Sequence, residues 1–337
     1  MRVDHQTRIF EIIKSLTEGQ DSLGNIVGEL LSISPDAVYR RYRGETQLTI
    51  FELEKLSKHF GISLDALFEI KKNTVVFDFQ PLQMYENNMT EYLSKMHDRL
   101  KLIKAQKNPE LIITINNSPM LQLLNFPHLV RFKLWFWGKT HLQMEEFQGK
   151  QFEYQKLPEE TFAIGQEVLR IYNSIPSKEI YDGSFLRGFA REIYYYFNAH
   201  QFKDPGYAVY LLELLLRFVD HLENQAAIGK KFTFGIQPPA SGNDFTMFHN
   251  ETLNGNGTTV YKTDDHRGLY ITHNLLNYIH TNDKVYFEDT MNVLNKQMAN
   301  SSIISSNNEK ARNDYFFHVK KMIIKLKSKM EIELVED

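Results

Sequence analysis

The chain has 337 residues, of which 42% are hydrophobic and 24% charged, with a formal net charge of −3. That balance supports a packed core and excludes wholesale disorder, and it excludes a global electrostatic pull toward nucleic acid or anionic lipid, so any DNA-binding surface must be local. Cysteine is absent, which excludes disulfides, thiolate metal centres and cysteine nucleophiles. At roughly 100–200 residues per domain the length allows two or three domains. The opening Met1-Arg2-Val3-Asp4 leads into no apolar signal segment, and the longest apolar run, Tyr207 to Val219, is broken by Glu213 and Arg217. It falls short of the ~20 residues a membrane span needs. The expected location is the cytoplasm, with no membrane partner.

In chain order, the first informative stretch runs from Leu23 to Phe68. Ile26, Val27, Leu30 and Leu31 recur at helical spacing, and Ser34-Pro35 then supply an N-cap followed by proline at the first helical position. Two helices therefore meet through a very short turn. The second reads Pro35 to Arg43 and stops at Gly44, a C-terminal glycine; Ala37 and Val38 face inward, while Asp36, Tyr39, Arg40 and Arg43 face out. An acid in the first turn and arginines in the last also suit the helix dipole. An exposed tyrosine and arginine cluster on such a helix, however, is what reading a major groove requires: arginine offers bidentate donors to guanine or phosphate, and tyrosine contacts sugar or phosphate. A third helix follows, capped by Thr49 with Glu52 as its capping-box partner and Leu53, Leu56 and Phe60 as its buried stripe.

The closing run Gly61-Ile62-Ser63-Leu64-Asp65-Ala66-Leu67-Phe68, the turn at Ile33-Ser34 and the Arg43-Gly44 helix end together resemble the Cro-repressor-like, xenobiotic-response-element-type helix-turn-helix domain. The resemblance implies a five-helix all-α domain over residues 1–73 that binds double-stranded DNA as a dimer, with Ser34, Asp36, Tyr39, Arg40 and Arg43 at or near the DNA. Three residues depart from the family pattern. Gly24 stands where a phosphate-contacting glutamine is common, Ser32 replaces the turn glycine, and Arg41 occupies a position that is usually apolar. Residues 1–72 carry 10 Lys+Arg and 11 Asp+Glu, a net charge of −1, so counterion release is confined to the recognition helix and non-specific affinity is modest.

After Lys71-Lys72-Asn73, Thr74 to Phe79 reads as a strand, and a domain boundary falls here, leaving residues 74–337 as an α+β sensor and dimerisation domain, mostly helical with a small sheet. Met84 to Lys107 reads as an amphipathic helix that joins or dimerises domains or simply packs on the core. Leu111-Ile112-Ile113-Thr114-Ile115 is a strand. Phe126 to Trp137 satisfies helix and strand periodicity alike. Helices follow over 158–174, 182–199 and 204–228, and their aromatics Tyr194, Tyr195, Tyr196, Phe197, Tyr207 and Tyr210 either line a ligand pocket or fill the core. Short strands are expected over 232–235, 258–261 and 268–272, with a Gly- and Asn-rich loop from 241 to 257, then helices over 284–300 and 309–330. The last helix sets Lys320, Lys321, Lys325, Lys327 and Lys329 beside Phe316, Ile323 and Leu326, giving a solvated lysine face or added phosphate contacts.

No P-loop, dinucleotide-binding GxGxxG or nucleophile elbow GxSxG occurs, so no catalytic residue, cofactor or metal is assigned and the expectation is a non-enzyme. The best candidate constellation for a metal is Asp264-Asp265-His266 with His273 and His280, if the intervening segment folds back. The function expected is a sequence-specific DNA-binding transcriptional regulator whose C-terminal domain senses a small-molecule or protein effector and forms a homodimer. The alternatives are an enzyme or phage-defence effector with an autoregulatory DNA-binding segment, and a helix-turn-helix that binds protein.

Overall fold

The computed structural model describes residues 5–17, 23–68, 74–79, 88–240, 243–253, 255–274 and 277–336. The boundary expected at Asn73 and the helix start expected at Met84 lie outside them. Chain contacts divide the protein into two compact units, Met1–Val76 and Phe77–Asp337.

Among the described residues the smaller unit has five helices: α1 (His5–Leu16), α2 (Leu23–Leu31), α3 (Pro35–Tyr42), α4 (Ile50–Phe60) and α5 (Leu64–Phe68). Ile9, Phe10 and Ile13 of α1, Leu23, Val27 and Leu31 of α2, Val38 of α3, Leu56 of α4 and Leu67 of α5 form one core, one stripe from each helix. The turn between α2 and α3 is three residues long. Ser32 adopts the left-handed conformation (φ 58°), and the Ile33 N–H returns to the Gly28 carbonyl at 2.9 Å, satisfying the end of α2. A β-carbon on Gly28 would meet the Ile33 oxygen at 2.9 Å, so the close approach needs glycine there. The Ser34 side chain accepts from the Ala37 N–H and caps α3, and Thr49 and Glu52 form the complete capping box of α4.

The larger unit carries an eight-stranded mixed sheet among the described residues, in the order β1-β7-β6-β5-β2-β3-β4-β8, which corrects the small sheet read from the sequence. In chain order come β1 (Asp78–Phe79), α6 (Asn88–Ala105), β2 (Glu110–Ile115), α7 (Met120–Leu123), α8 (Pro127–Phe136) with a π-helical turn over Trp137–His141, α9 (Glu159–Asn173) and β3 (Ser177–Tyr181). There follow α10 (Arg187–Asn198), α11 (Gly206–Ile228), β4 (Phe245–His249), β5 (Thr258–Lys262), β6 (Arg267–Asn274), β7 (Asn277–Thr281), α12 (Lys284–Ala299), β8 (Ser302–Ile303) and α13 (Glu309–Glu336). β2, β3 and β4 are parallel and joined through helices, and the rest pair antiparallel. Both faces of the sheet are covered. Leu111, Ile113, Ile115, Tyr181, Phe245 and Met247 join the large core under the helices, while Ile112, Ile180, Phe248, Val260 and Leu269 pack with Phe287 and Leu294 of α12.

Three local expectations change. Phe126 to Trp137, which fits both periodicities, is helix α8, with Pro127 at its first position. Phe232 to Gly235 forms no strand; the Phe232 carbonyl instead accepts from His221 Nε2 (3.0 Å) and Gln225 Nε2 (2.8 Å) of α11. β4 lies within the stretch that reads as a loop, because Phe245 to His249 is short and flanked by glycines and asparagines. The lysine-rich α13 docks on α11 by Phe316, Val319 and Ile323, and its lysines meet acids: Lys320 sits 2.6 Å from both Asp220 and Glu223, and Lys327 3.3 Å from Glu213. No helix of the described residues is long and apolar enough to cross a membrane.

Candidate functional site

In the smaller unit, α3 is held by Val38, fully buried, and by Arg41, which turns inward. The Arg41 guanidinium donates to Glu52 of α4 at 2.8 Å and to the Ala37 carbonyl at 3.2 Å, and both members of the pair are largely covered. Partial burial raises the Glu52 pKa, but the Thr49 N–H and the Arg41 charge together outweigh it and hold the carboxyl below its usual range. Arg41 is thus a tie between two helices, which accounts for its departure from an apolar residue.

With Arg41 turned away, Ser34, Asp36, Tyr39, Arg40 and Arg43 are all exposed on α3 and its two ends. Arg40 pairs with Asp36 one turn earlier at 3.0 Å, and Arg43 forks onto Glu45 at 2.6 and 3.1 Å. Exposed pairs of this kind contribute little, so both arginines can exchange their carboxylates for another anion at small cost. Gly24 sits against Tyr39: a β-carbon at 24 would lie 3.0 Å from the tyrosine ring and 3.2 Å from Pro35 Cβ, so a larger residue would push the ring outward by a few tenths of an ångström.

The larger unit contains a cavity of about 460 Å³ between the sheet and its helical cover. α6 contributes Tyr92, Met96 and Arg99, α7 Gln122, α8 with its π-turn Lys133 and Trp137, and α10 Phe189 and Glu192. The floor is a row across the sheet: in register, Tyr270 of β6 faces Thr259 of β5, Thr259 faces Ile113 of β2, and Ile113 faces Glu179 of β3. At one end, Glu179 is fully buried and its carboxylate accepts the hydroxyls of Tyr172, Ser177 (2.9 Å) and Tyr181 (2.9 Å). Burial first, and then the Glu179 charge, raise the Tyr172 and Tyr181 hydroxyls well above the usual tyrosine range, so they remain donors. Lys231, also fully buried, has its ammonium 3.7 Å from the centre of the Tyr172 ring; its pKa falls to about 7 through burial, against the opposing pull of Glu179. Lys133 and Glu192 form a second covered ion pair, with the lysine over the Trp137 and Phe189 rings.

No protein-family model, curated protein or solved structure matches the chain. The site therefore rests on its own geometry.

The aromatics that suggested a pocket lie elsewhere: Tyr196 packs on Phe132 and Phe136, Tyr207 and Tyr210 surround His128, and Tyr194 lies under Lys329. The Asp264, Asp265, His266, His273 and His280 constellation does not assemble. Asp264 bonds Asn108, His273 meets the Phe79 ring and His280 sits 3.2 Å from Asp78; among the described residues no group of three such side chains could hold a metal. The cavity residues Arg99, Gln122 and Glu179 escaped sequence reasoning. The one available signal was the alternation Ser177-x-Glu179-x-Tyr181, three polar-tipped residues on one face of a strand.

Proposed function

We propose that the chain is a one-component transcription regulator, in which α3 of a helix-turn-helix domain reads duplex DNA and the larger unit senses a small-molecule effector in its cavity and pairs two copies of the chain. The observation that carries this reading is the outward face of α3. A capped helix entered through a three-residue turn leaves Ser34, Asp36, Tyr39, Arg40 and Arg43 exposed together. Arg40 and Arg43 would reach guanine edges or phosphates, Tyr39 a sugar or phosphate, and Ser34 with Asp36 would contact the groove at the helix N-terminus. The resemblance of Gly61–Phe68 and of the turn to Cro-repressor-like domains supports the same assignment.

Regulation by an effector requires that it bind one arrangement of the two reading heads better than another, and the coupling can be no larger than that difference. The test is selection of duplexes from a randomised library by the purified protein at stated salt. The expected product is a two-fold symmetric motif with half-sites about 10–10.5 bp apart, lost in the Arg40→Ala/Arg43→Ala variant. Absence of enrichment at every salt concentration rejects the DNA-reading assignment.

A further inference from the structure

We propose that the cavity of the larger unit takes an elongated organic monocarboxylate that carries a hydrogen-bond donor at its far end, with the carboxylate on Arg99 and the donor on Gln122. This deepens the sensing half of the proposed function, but its chemistry rests on the cavity alone.

Arg99 is the cationic end. It is half-buried, lines the cavity and lies over the Tyr270 ring at 5.1 Å, and among the described residues it makes no hydrogen bond or ion pair. A guanidinium oriented by an aromatic face and lacking a carboxylate is a fork for one anionic group. The other basic residues of the cavity are already matched, Lys95 to Glu91 at 2.6 Å and Lys133 to Glu192. One unpaired positive charge matches a single negative one.

Gln122 is the acceptor end. Tyr172 must donate its hydroxyl proton to the Glu179 carboxylate, so its oxygen accepts from Gln122, which fixes the amide with Nε2 toward Tyr172 at 3.1 Å. Gln122 Oε1 is then left without a partner among the described residues, in a fully buried side chain that lines the cavity. A ligand O–H or N–H satisfies it. The nearby Glu179 carboxylate repels a second acid group, so a dicarboxylate is rejected.

The register sets the length. From Tyr270 to Glu179 the floor crosses three strand-to-strand steps of roughly 4.8 Å, a span of about 14 Å. Ile113, Met96, Trp137 and Phe189 give the cavity apolar surface for the chain of such a ligand, beside the polar Thr259 and the mutually paired Lys133 and Glu192.

The test uses the full-length protein without DNA and ω-hydroxydodecanoate as the probe, followed by calorimetry and by tryptophan fluorescence, since Trp137 in the cavity is one of only two tryptophans. Saturable binding is expected, about tenfold weaker for dodecanoate, which lacks the donor, and weakest for dodecanedioate. Arg99→Gln should remove the preference for the acid over the corresponding alcohol. Gln122→Leu should erase the advantage of the hydroxylated acid over the plain one, a change in the ratio of two affinities that general unfolding cannot produce. Equal affinity for the hydroxylated and plain acids, retention of acid preference in Arg99→Gln, or no saturable binding overturns the proposal. Because DNA is absent, a failed duplex selection leaves this result standing, and failed binding here leaves the duplex selection standing.

Discussion

The two units treat charge in opposite ways. The smaller keeps Arg40 and Arg43 at the surface in short local ion pairs, while the larger buries Glu179, Lys231 and the Lys133–Glu192 pair around a cavity. Exposed pairs contribute little to stability and are free to exchange partners. Buried charges are costly to strand, so each fixes the groups around it. The difference suits the units to different parts of the proposed function: an outer surface whose charges can change partners, and an interior whose charges are held in place.

The sharpest way to break this contrast is to remove a buried charge. In Glu179→Ala the hydroxyls of Tyr172, Ser177 and Tyr181 lose their common acceptor and Lys231 loses its nearby counter-charge. The larger unit should lose about 3–5 kcal/mol. Chemical denaturation followed by tryptophan fluorescence reports on this unit alone, because Trp135 and Trp137 both belong to it. An unchanged midpoint would show that the carboxylate is not the anchor of this network.

Lys231 gives the next effect, through pH. Its folded-state pKa of about 7 lies below the value of an unfolded lysine, so between these two values the unfolded chain binds a proton that the folded chain does not. Stability of the larger unit should therefore rise with pH from about 7 toward 10, on the order of a few kcal/mol in all, and level off below 7 where both states are protonated. Lys231→Met should flatten that rise and stabilise the unit at pH 7. A wild-type profile without the rise would mean that the ammonium finds water or a partner.

At the surface of the smaller unit the expected effect is on binding alone. Arg40→Ala/Arg43→Ala should weaken association with a selected duplex by about a hundredfold or more, at about 1–3 kcal/mol per base contact, and change folding stability by less than about 0.5 kcal/mol. Fluorescence anisotropy with a labelled duplex measures the first and thermal unfolding the second. Loss of both together would make the arginines structural and blur the contrast between the units.

The same contrast decides what could be read in advance. α3 was legible because its chemistry is local: cap, proline, outward residues and terminal glycine fall within eleven consecutive positions, Ser34 to Gly44. The strand β2 was legible because a β-branched run buried on both faces has few alternatives. β3 was not, because Ser177-Lys178-Glu179-Ile180-Tyr181 carries two charged residues, and what buries Glu179 is three hydroxyls contributed by side chains up to seven residues away and a covering of helices. The cavity was hidden for a stronger reason. Arg99, Gln122 and Glu179 come from three elements whose proximity is created by sheet register and helix packing, and neither leaves a periodic trace in the sequence.

The smallest expected effect tests the turn on which the proposed reading surface depends. Ser32 holds φ at 58°, a conformation that costs an L-residue roughly 1–2 kcal/mol and glycine almost nothing. Part of that gain is offset by the greater freedom of glycine in the unfolded chain, so Ser32→Gly should stabilise the smaller unit by about 0.5–1 kcal/mol. Hydrogen exchange at amides of α2 and α3 resolves such a change without interference from the larger unit. Because Ser32 lies before the cap Ser34 and is itself no proposed contact, duplex affinity should stay within about twofold. If affinity rises with stability instead, the serine leaves α3 partly unseated in the free protein, and seating it is a step in DNA binding.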